Sequence, residues 1–496
     1  MLASIASALP EVSVRDEQFF ARLRADEFSR LDAGRHAYLD FTGSALYAER
    51  QIWSHSLLAL KSVLGNPHSE NPASRESTRL IEEARTRVLQ FLDAPAEDYA
   101  VIFTANASAA IKLVAESFPF GRDASLVLSA DNHNSVNGIR EYARRADAPV
   151  HYLPLDTELR LDHPELHLAS WPRSERGLFA FPAQSNFSGV KHPLSLVRRA
   201  KSLGYTVLID AAAFVPTSSL SLRAVPADFV ALSFYKVFGF PTGVGALVAR
   251  RTSLAKLKRP WFAGGTLEYA SVQNDRHLLR PPADGAFEDG TPAFLSIAAL
   301  EEGFKLLDEV CMRRLTTHVM RLTGYLLDGL RALRHSNGRP LVEVYGPKSA
   351  QDRGPTIAFN VLDRAGRAIP FANVESRARD EGVSIRGGCF CNPGASESAF
   401  GFRAEQTARC LSEMSDTGFS IDRLAECLGP GIAVGAVRAS FGLPSNIADV
   451  DRVRALIGTY ATGESLGRSA TRVDPRYART IQSGTTGASP LGAQNA

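Results

Sequence analysis

Two apolar runs limit what this chain can fold into more than any other feature. One is Leu208-Ile-Asp-Ala-Ala-Ala-Phe and the other is Phe229-Val-Ala-Leu-Ser-Phe-Tyr-Lys-Val-Phe-Gly-Phe-Pro-Thr-Gly. Each is a stretch of β-branched and large apolar residues that ends in a polar residue. That is the pattern of a strand buried on both faces, delivering a functional group at its carboxyl end. The first run delivers Asp210 and the second Ser233 and Lys236. A lysine and a carboxylate at nearby strand ends suit pyridoxal 5'-phosphate: the lysine attaches the cofactor's aldehyde and the acid pairs with its ring nitrogen. The alternative is a structural ion pair beneath a glycine turn, and the surrounding chain decides between the two.

Around these runs, strands alternate with helical segments. Strands are expected at 125–129, 177–182 and 205–210, with a helix over 193–203. Ala100-Val-Ile-Phe-Thr-Ala-Asn-Ala-Ser reads as a short strand, a turn of small residues and the start of a helix. The alternation predicts an α/β chain with a parallel sheet and helices on both faces, its ligand outside the carboxyl ends of the strands. His133, Asn186, Asp210, Ser233 and Lys236 fall at those ends, together with the turn at Ser108. Small residues there let helix N-terminal amides approach an anion, although serine and asparagine are also ordinary helix caps. A lone strand-end histidine is commonly a structural hydrogen-bonding group. Five polar strand-end residues that suit one cofactor favour a site.

The flanks add an organisation. Phe20, Leu23, Phe28 and Leu31 share a face of a helix over 15–31, an arm packed on the body. Helices are expected over 51–64 and 81–92, separated by the polar loop Gly65-Asn-Pro-His-Ser-Glu-Asn-Pro, which is either a plain connection or an active-site wall. Phe287-Glu-Asp-Gly-Thr-Pro opens a helix running to about 308, with Pro292 in its first turn. A helix over 314–333 and strands at 356–362 and 383–385 follow, then Gly435-Ala-Val-Arg-Ala-Ser-Phe-Gly, a strand with Arg438 inside an apolar run. The expected units are an arm (1–35), a large cofactor-binding domain (36–292), a small C-terminal α/β domain (293–462) and a tail (463–496) of disordered composition.

Composition excludes some classes. At 496 residues the chain exceeds a single core, and a formal charge of +3 gives no reason to expect nucleic acid or an anionic membrane as partner. No apolar run is long enough to span a bilayer, and the opening residues lack the basic start of a signal peptide. Five cysteines are too few for a disulfide scaffold, so a reducing cytoplasm is the default.

Two of those cysteines, Cys389 and Cys391, lie in Arg386-Gly-Gly-Cys-Phe-Cys-Asn-Pro-Gly. They are closer together than a zinc pair and have no matching pair or histidine cluster nearby, so no metal is expected. A buried structural cysteine is the common case. Glycine before and proline after read instead as a mobile, exposed loop, where a thiol acts as a nucleophile.

Taken together, these motifs resemble the class V aminotransferase family of fold type I pyridoxal phosphate enzymes, and within it the cysteine desulfurase group. Most similar is the N-terminal, desulfurase-like domain of molybdenum cofactor sulfurases. The resemblance is carried in order by Gly65-Asn-Pro-His-Ser, Glu97-Asp-Tyr-Ala-Val-Ile-Phe-Thr-Ala, Ser233-Phe-Tyr-Lys-Val-Phe-Gly-Phe-Pro-Thr-Gly, Phe287-Glu-Asp-Gly-Thr, the two-cysteine loop and Gly435-Ala-Val-Arg. It implies a mostly parallel, seven-stranded-type sheet in the large domain, and Lys236 holding the cofactor. Asp210 would sit on the ring nitrogen, His133 would stack on the ring, and Asn186 would lie near the phenolic oxygen. Ser108 and Ser233 would bind the phosphate, with Thr291 doing so from the second subunit of a homodimer. Arg438 would hold the substrate carboxylate and Cys391 would take up sulfur.

The implied activity is desulfuration of L-cysteine to alanine with an enzyme persulfide. Its partner would be a sulfur-acceptor protein or a molybdenum cofactor protein. There are departures: Ala213 stands where a glutamine is common, Tyr235 where histidine precedes the lysine, and Asn106 where the phosphate turn usually has glycine. Full-length sulfurases of plants and animals continue into a second domain where this chain has its tail. The alternatives are another class V reaction, an aminotransferase or a C–S or C–N lyase that ignores the cysteine loop, and a non-enzymatic subunit, against which Lys236 argues.

Overall fold

The computed structural model describes residues 14–171, 177–281, 284–415 and 418–461; the expected tail lies outside them. A seven-stranded sheet forms the centre. In spatial order its strands are Tyr99–Thr104, Gly245–Arg250, Phe229–Ser233, Thr206–Asp210, Leu178–Pro182, Leu126–Ser129 and Val150–Leu153. The last five run parallel, and Gly245–Arg250 is antiparallel to both of its neighbours. The fold is the expected α/β type with a mostly parallel sheet.

Alternation along the strands builds one apolar layer on each face. Phe179, Phe181, Val207, Ile209, Val230 and Leu232 belong to one core, while Leu178, Ala180, Leu208, Phe229 and Ala231 belong to the other. Every residue of Leu178–Pro182 and Phe229–Ser233 is buried, which is why these strands read as continuous apolar runs. Burying each large side chain stabilises the fold by about 1.5 to 3 kcal/mol.

A second, antiparallel sheet has the order Val342–Tyr345, Thr356–Val361, Ala436–Ser440, Arg386–Gly388. Ala37–Tyr38 pairs in parallel with Val383–Ser384, and Asp40 bridges Ser440. The segment just after the arm is therefore joined to the C-terminal half of the chain. This places Asp40 beside a strand far away in sequence.

Some element limits differ from expectation. The arm is two helices, Val14–Glu27 and Arg30–Ala33, because the turn between them returns Asp32 to the buried Arg24 guanidinium at 2.9 Å. The helix expected up to 308 is split into Phe294–Ala298 and Leu300–Val310. A disulfide joins Cys410 to Cys427, a pairing that the expected reducing compartment gave no reason to foresee. Helices Ala404–Ser415 and Ile421–Leu428 pack together and bring these two cysteines to a Cα separation of 5.8 Å. Among the described residues no helix is long and apolar enough to cross a membrane.

Candidate active site

Adjacent strands end at one level and so gather their terminal residues. Pro182 is in register with Asp210, Asp210 with Ala231, and Ser233 with Gly245. The strand ending at Ser233 passes directly into the helix Phe234–Phe238, which turns Lys236 back over the sheet end. One cavity at this edge is lined by Ser108, His133, Asn186, Asp210, Ser233 and Lys236. Six residues singled out in the sequence thus face one space. Thr291, Arg438 and Cys391 are not among its lining.

Electrostatics at the cavity centre favour a reactive amine. Burial pushes the Lys236 ammonium below its usual range, and the Asp210 carboxylate opposes that shift. Burial likewise lowers His133, again against Asp210. His133 Nδ1 accepts the Ser135 backbone N–H at 3.1 Å, so a neutral ring carries its proton on Nε2. Asp210 Oδ1 accepts the Ala212 N–H at 3.0 Å, which fixes the carboxylate at the strand end.

At one side of the cavity lies the N-terminus of the helix Ala107–Ser117. Asn106 caps it, accepting from Ala109 N–H at 3.0 Å, and Ser233 Oγ accepts from Ala107 N–H at 2.8 Å. Ser108 Oγ meets Ser135 Oγ at 2.5 Å. Asn106 has a φ of −174°, extended backbone that any residue adopts, so glycine is not needed at this position. The close approach in this turn is made by Gly245 instead. A Cβ on Gly245 would lie 2.6 Å from the Asn106 backbone.

Arg438 projects from the small sheet towards the same region. One of its guanidinium nitrogens donates to the Asn186 carbonyl at 2.8 Å and another to Asp40 Oδ1 at 3.0 Å, and the group lies 4.6 Å from the centre of the Phe390 ring. Its Nε is buried with no hydrogen-bond partner in the protein. A buried donor left unpaired is costly, and a ligand oxygen would satisfy it. The absence of an acid in Arg438's own strand gave no sign of Asp40, which arrives from the N-terminal segment.

The two-cysteine loop is tied down, which corrects the expectation of a mobile loop. Arg386–Gly388 is an edge strand and Pro393–Phe400 a helix, leaving only four residues between them. The Phe390 carbonyl accepts from Asn186 Nδ2 at 2.6 Å, and the Cys391 carbonyl from Asn134 N–H at 2.7 Å. Cys391 is exposed. Cys389 is half-buried, with Sγ donating to the Val434 carbonyl at 3.7 Å, and burial pushes its thiol up. Asn186 and His133, the neighbour of Asn134, both line the Lys236 cavity, so these two anchors hold the Cys391 backbone beside it.

Thr291 accepts from Asn66 Nδ2 at 3.1 Å, joining the Gly65-Asn-Pro-His loop to the Gly290-Thr291 segment. Sequence reasoning missed Asp40, Asp131 and Gln184. Gln184 lines the cavity with a buried, unpaired Oε1. It lies two residues past the end of the strand Leu178–Pro182, the one signal by which it was legible.

The cavity fits pyridoxal 5'-phosphate on its own chemistry. It offers an amine whose charged form burial disfavours, a carboxylate beside it and a helix N-terminus carrying the Ser108 hydroxyl.

Comparison with known proteins follows the same line. The aminotransferase class-V family model matches residues 37–453. Molybdenum cofactor sulfurase of Arabidopsis thaliana is 35% identical over 92% of this chain and 60% of its own length. The Bos taurus protein of that name is 37% identical over 88% of this chain and 51% of its own length. The chain thus spans between about half and three fifths of these relatives. Among solved structures, an apo cysteine desulfurase from Thermococcus onnurineus NA1 superposes with a TM-score of 0.73 at 23% identity, covering 89% of this chain and 98% of that one. The Escherichia coli cysteine desulfurase CsdA gives 0.71 at 21% identity, with coverage of 89% and 98%. The chain belongs to the class-V aminotransferase family, whose members are pyridoxal 5'-phosphate enzymes.

Proposed function

We propose that this chain is a cysteine desulfurase-like enzyme, taking sulfur from L-cysteine onto Cys391 as a persulfide and releasing L-alanine. Its relatives named molybdenum cofactor sulfurase make molybdenum cofactor, or a protein carrying it, the proposed sulfur acceptor. The observation that carries the reading is an exposed thiol, Cys391, whose loop is held by Asn186 and Asn134 beside the Lys236 cavity.

Lys236 would attach the cofactor and Asp210 would pair with its ring nitrogen. His133 would cover the ring, Asn186 would reach its phenolic oxygen, and Ser108 and Ser233 would hold its phosphate. When bound, the cofactor supplies an electron sink for charge developing at the substrate Cα. Arg438, with its unpaired Nε, receives the substrate carboxylate and sets the orientation of Cα. Lys236 Nζ, whose charged form burial disfavours so that the free amine is available, takes the Cα proton. Cys391 as thiolate attacks the substrate sulfur: the new S–S bond forms as Cβ–S breaks, the electron pair stays on Cβ, and protonation there together with return of the Lys236 proton to Cα gives alanine. Cys389, its thiol pushed up by burial, is the poorer nucleophile.

A homodimer belongs to this reading, since Thr291 lies outside the Lys236 cavity of its own chain and would serve the partner's phosphate site. An exposed apolar face on and beside the helix Glu49–Lys61, with Trp53 (74% exposed), Leu57, Leu60 and Val63, supports a second copy covering it. The proposed location is the cytoplasm. Of the Cys410–Cys427 disulfide, Cys410 is wholly buried and Cys427 half-buried.

Paired serine variants test the assignment. Cys391→Ser keeps the cofactor and binds L-cysteine but loses alanine and persulfide formation by about a thousandfold or more, whereas Cys389→Ser loses far less. Wild-type alanine release by both variants would instead favour an aminotransferase or lyase that does not use the loop.

A further inference from the structure

Asn392, directly after Cys391, is completely buried and uses its whole amide group. Its Nδ2 donates to Asp131 Oδ1 at 2.6 Å and to Asn186 Oδ1 at 3.0 Å, while its Oδ1 accepts the Ala395 N–H at 3.2 Å as helix cap. Asp131 is also completely buried and does not line the Lys236 cavity. It takes Ser185 Oγ on the same oxygen at 2.8 Å and His192 Nε2 on the other at 2.8 Å. The anchor therefore belongs to the large sheet, since Asp131 follows Leu126–Ser129 and Ser185 follows Leu178–Pro182.

The backbone explains why such an anchor is needed. Phe390 and Cys391 both have φ of +57°, in the left-handed region that residues with a side chain avoid. Two such residues in succession persist only where the surroundings over-determine them. Here the surroundings are Asn186 on the Phe390 carbonyl, Asn134 on the Cys391 carbonyl and the Asn392 side chain on Asp131. The thiol thus stands between two fixed points.

We propose that Asn392, held by Asp131 and Asn186, is the positioning residue that fixes Cys391 at the Lys236 site. The thiol then acts from one place, and the sulfur acceptor comes to it at its exposed position. This deepens the desulfurase reading and rests on Cys391 being the sulfur-accepting thiol.

Asn392→Ser separates the anchor from the helix cap, because a serine hydroxyl still caps but cannot span to Asp131 and Asn186. The cofactor absorbance and the KM for L-cysteine stay near wild type, while kcat for alanine falls by about a hundredfold, the order expected of an ångström-scale misplacement. Alkylation of Cys391 by iodoacetamide, followed by peptide mass spectrometry, speeds up severalfold in Asn392→Ser while that of Cys389 does not change. Asp131→Asn, which keeps an oxygen facing Asn392, loses less than Asp131→Ala. A wild-type Cys391 alkylation rate and kcat in Asn392→Ser would overturn the proposal, as would parallel loss of cofactor and faster alkylation of both cysteines. Should Cys391 alkylation respond as expected while Cys391→Ser still releases alanine at the wild-type rate, the anchor stands and the desulfurase reading fails.

Discussion

Asp40 Oδ1 accepts a hydrogen bond from the Arg438 guanidinium at 3.0 Å, across a sequence separation of 398. The same carboxylate takes Arg386 through both of its oxygens, at 2.6 to 3.1 Å. Arg386 and Arg438 are register partners on adjacent antiparallel strands. Two like charges directly opposite destabilise a sheet, and Asp40 offsets one of them. What remains is a single net positive charge, suited to a substrate carboxylate.

Asp40→Asn leaves the two guanidiniums opposed, with Arg438 wholly buried. Losing one partner of a buried pair costs on the order of 3 kcal/mol, so the urea midpoint of the variant falls. The KM for L-cysteine rises at least about tenfold, because Arg438 no longer has a fixed direction. Asp40→Glu recovers part of both losses. Steady-state kinetics beside urea unfolding of the same preparations checks the pairing of the two effects.

Lys236→Ala removes the amine that attaches the cofactor. Purified wild-type protein reconstituted with pyridoxal 5'-phosphate is yellow, and borohydride fixes the cofactor to Lys236. The variant shows neither property. A wild-type protein without the absorbance band would contradict the cofactor assignment at its base.

Thr291→Ala tests the shared phosphate site. Loss of one hydrogen bond to a charged group weakens cofactor retention by about 1.5 to 3 kcal/mol. Sedimentation gives a dimer for both proteins, and dialysis followed by absorbance measures the retained cofactor. A monomer that keeps its cofactor at micromolar concentration would sink the shared-site reading.

His318 makes the fold sensitive to acid. It stacks on Phe20 of the arm at 3.8 Å, donates from Nε2 to the Ser445 carbonyl at 2.8 Å, and is pushed down to about 4 by burial. Above its ordinary value near 6.5 both folded and unfolded rings are neutral and the contribution to stability is complete. Between about 6.5 and 4 the unfolded chain binds a proton that the folded chain refuses, so about 3 kcal/mol is lost as pH falls through that window. His318→Phe keeps the stack and cannot titrate. Urea midpoints between pH 7.5 and pH 4.5, at roughly half-unit steps, fall less steeply for this variant than for wild type.

The sequence by itself determined the large sheet and the contents of its edge. A strand buried on both faces has to be apolar throughout, so a terminal polar residue stands out, and parallel strands end together. Asp210, Ser233, Lys236 and Asn186 were legible for that reason, as was Ser108 at the following helix. Only the tertiary structure decided which partners those residues and the cysteine loop would meet. Asp40 and Arg438 are 398 positions apart, and Asp131 and Asn392 are 261 apart. A single carboxylate in a short turn carries no mark of a guanidinium at that distance. The same holds for Cys391: glycines and a proline around a thiol describe a backbone able to bend, and the buried acceptors on another sheet decide that it is held.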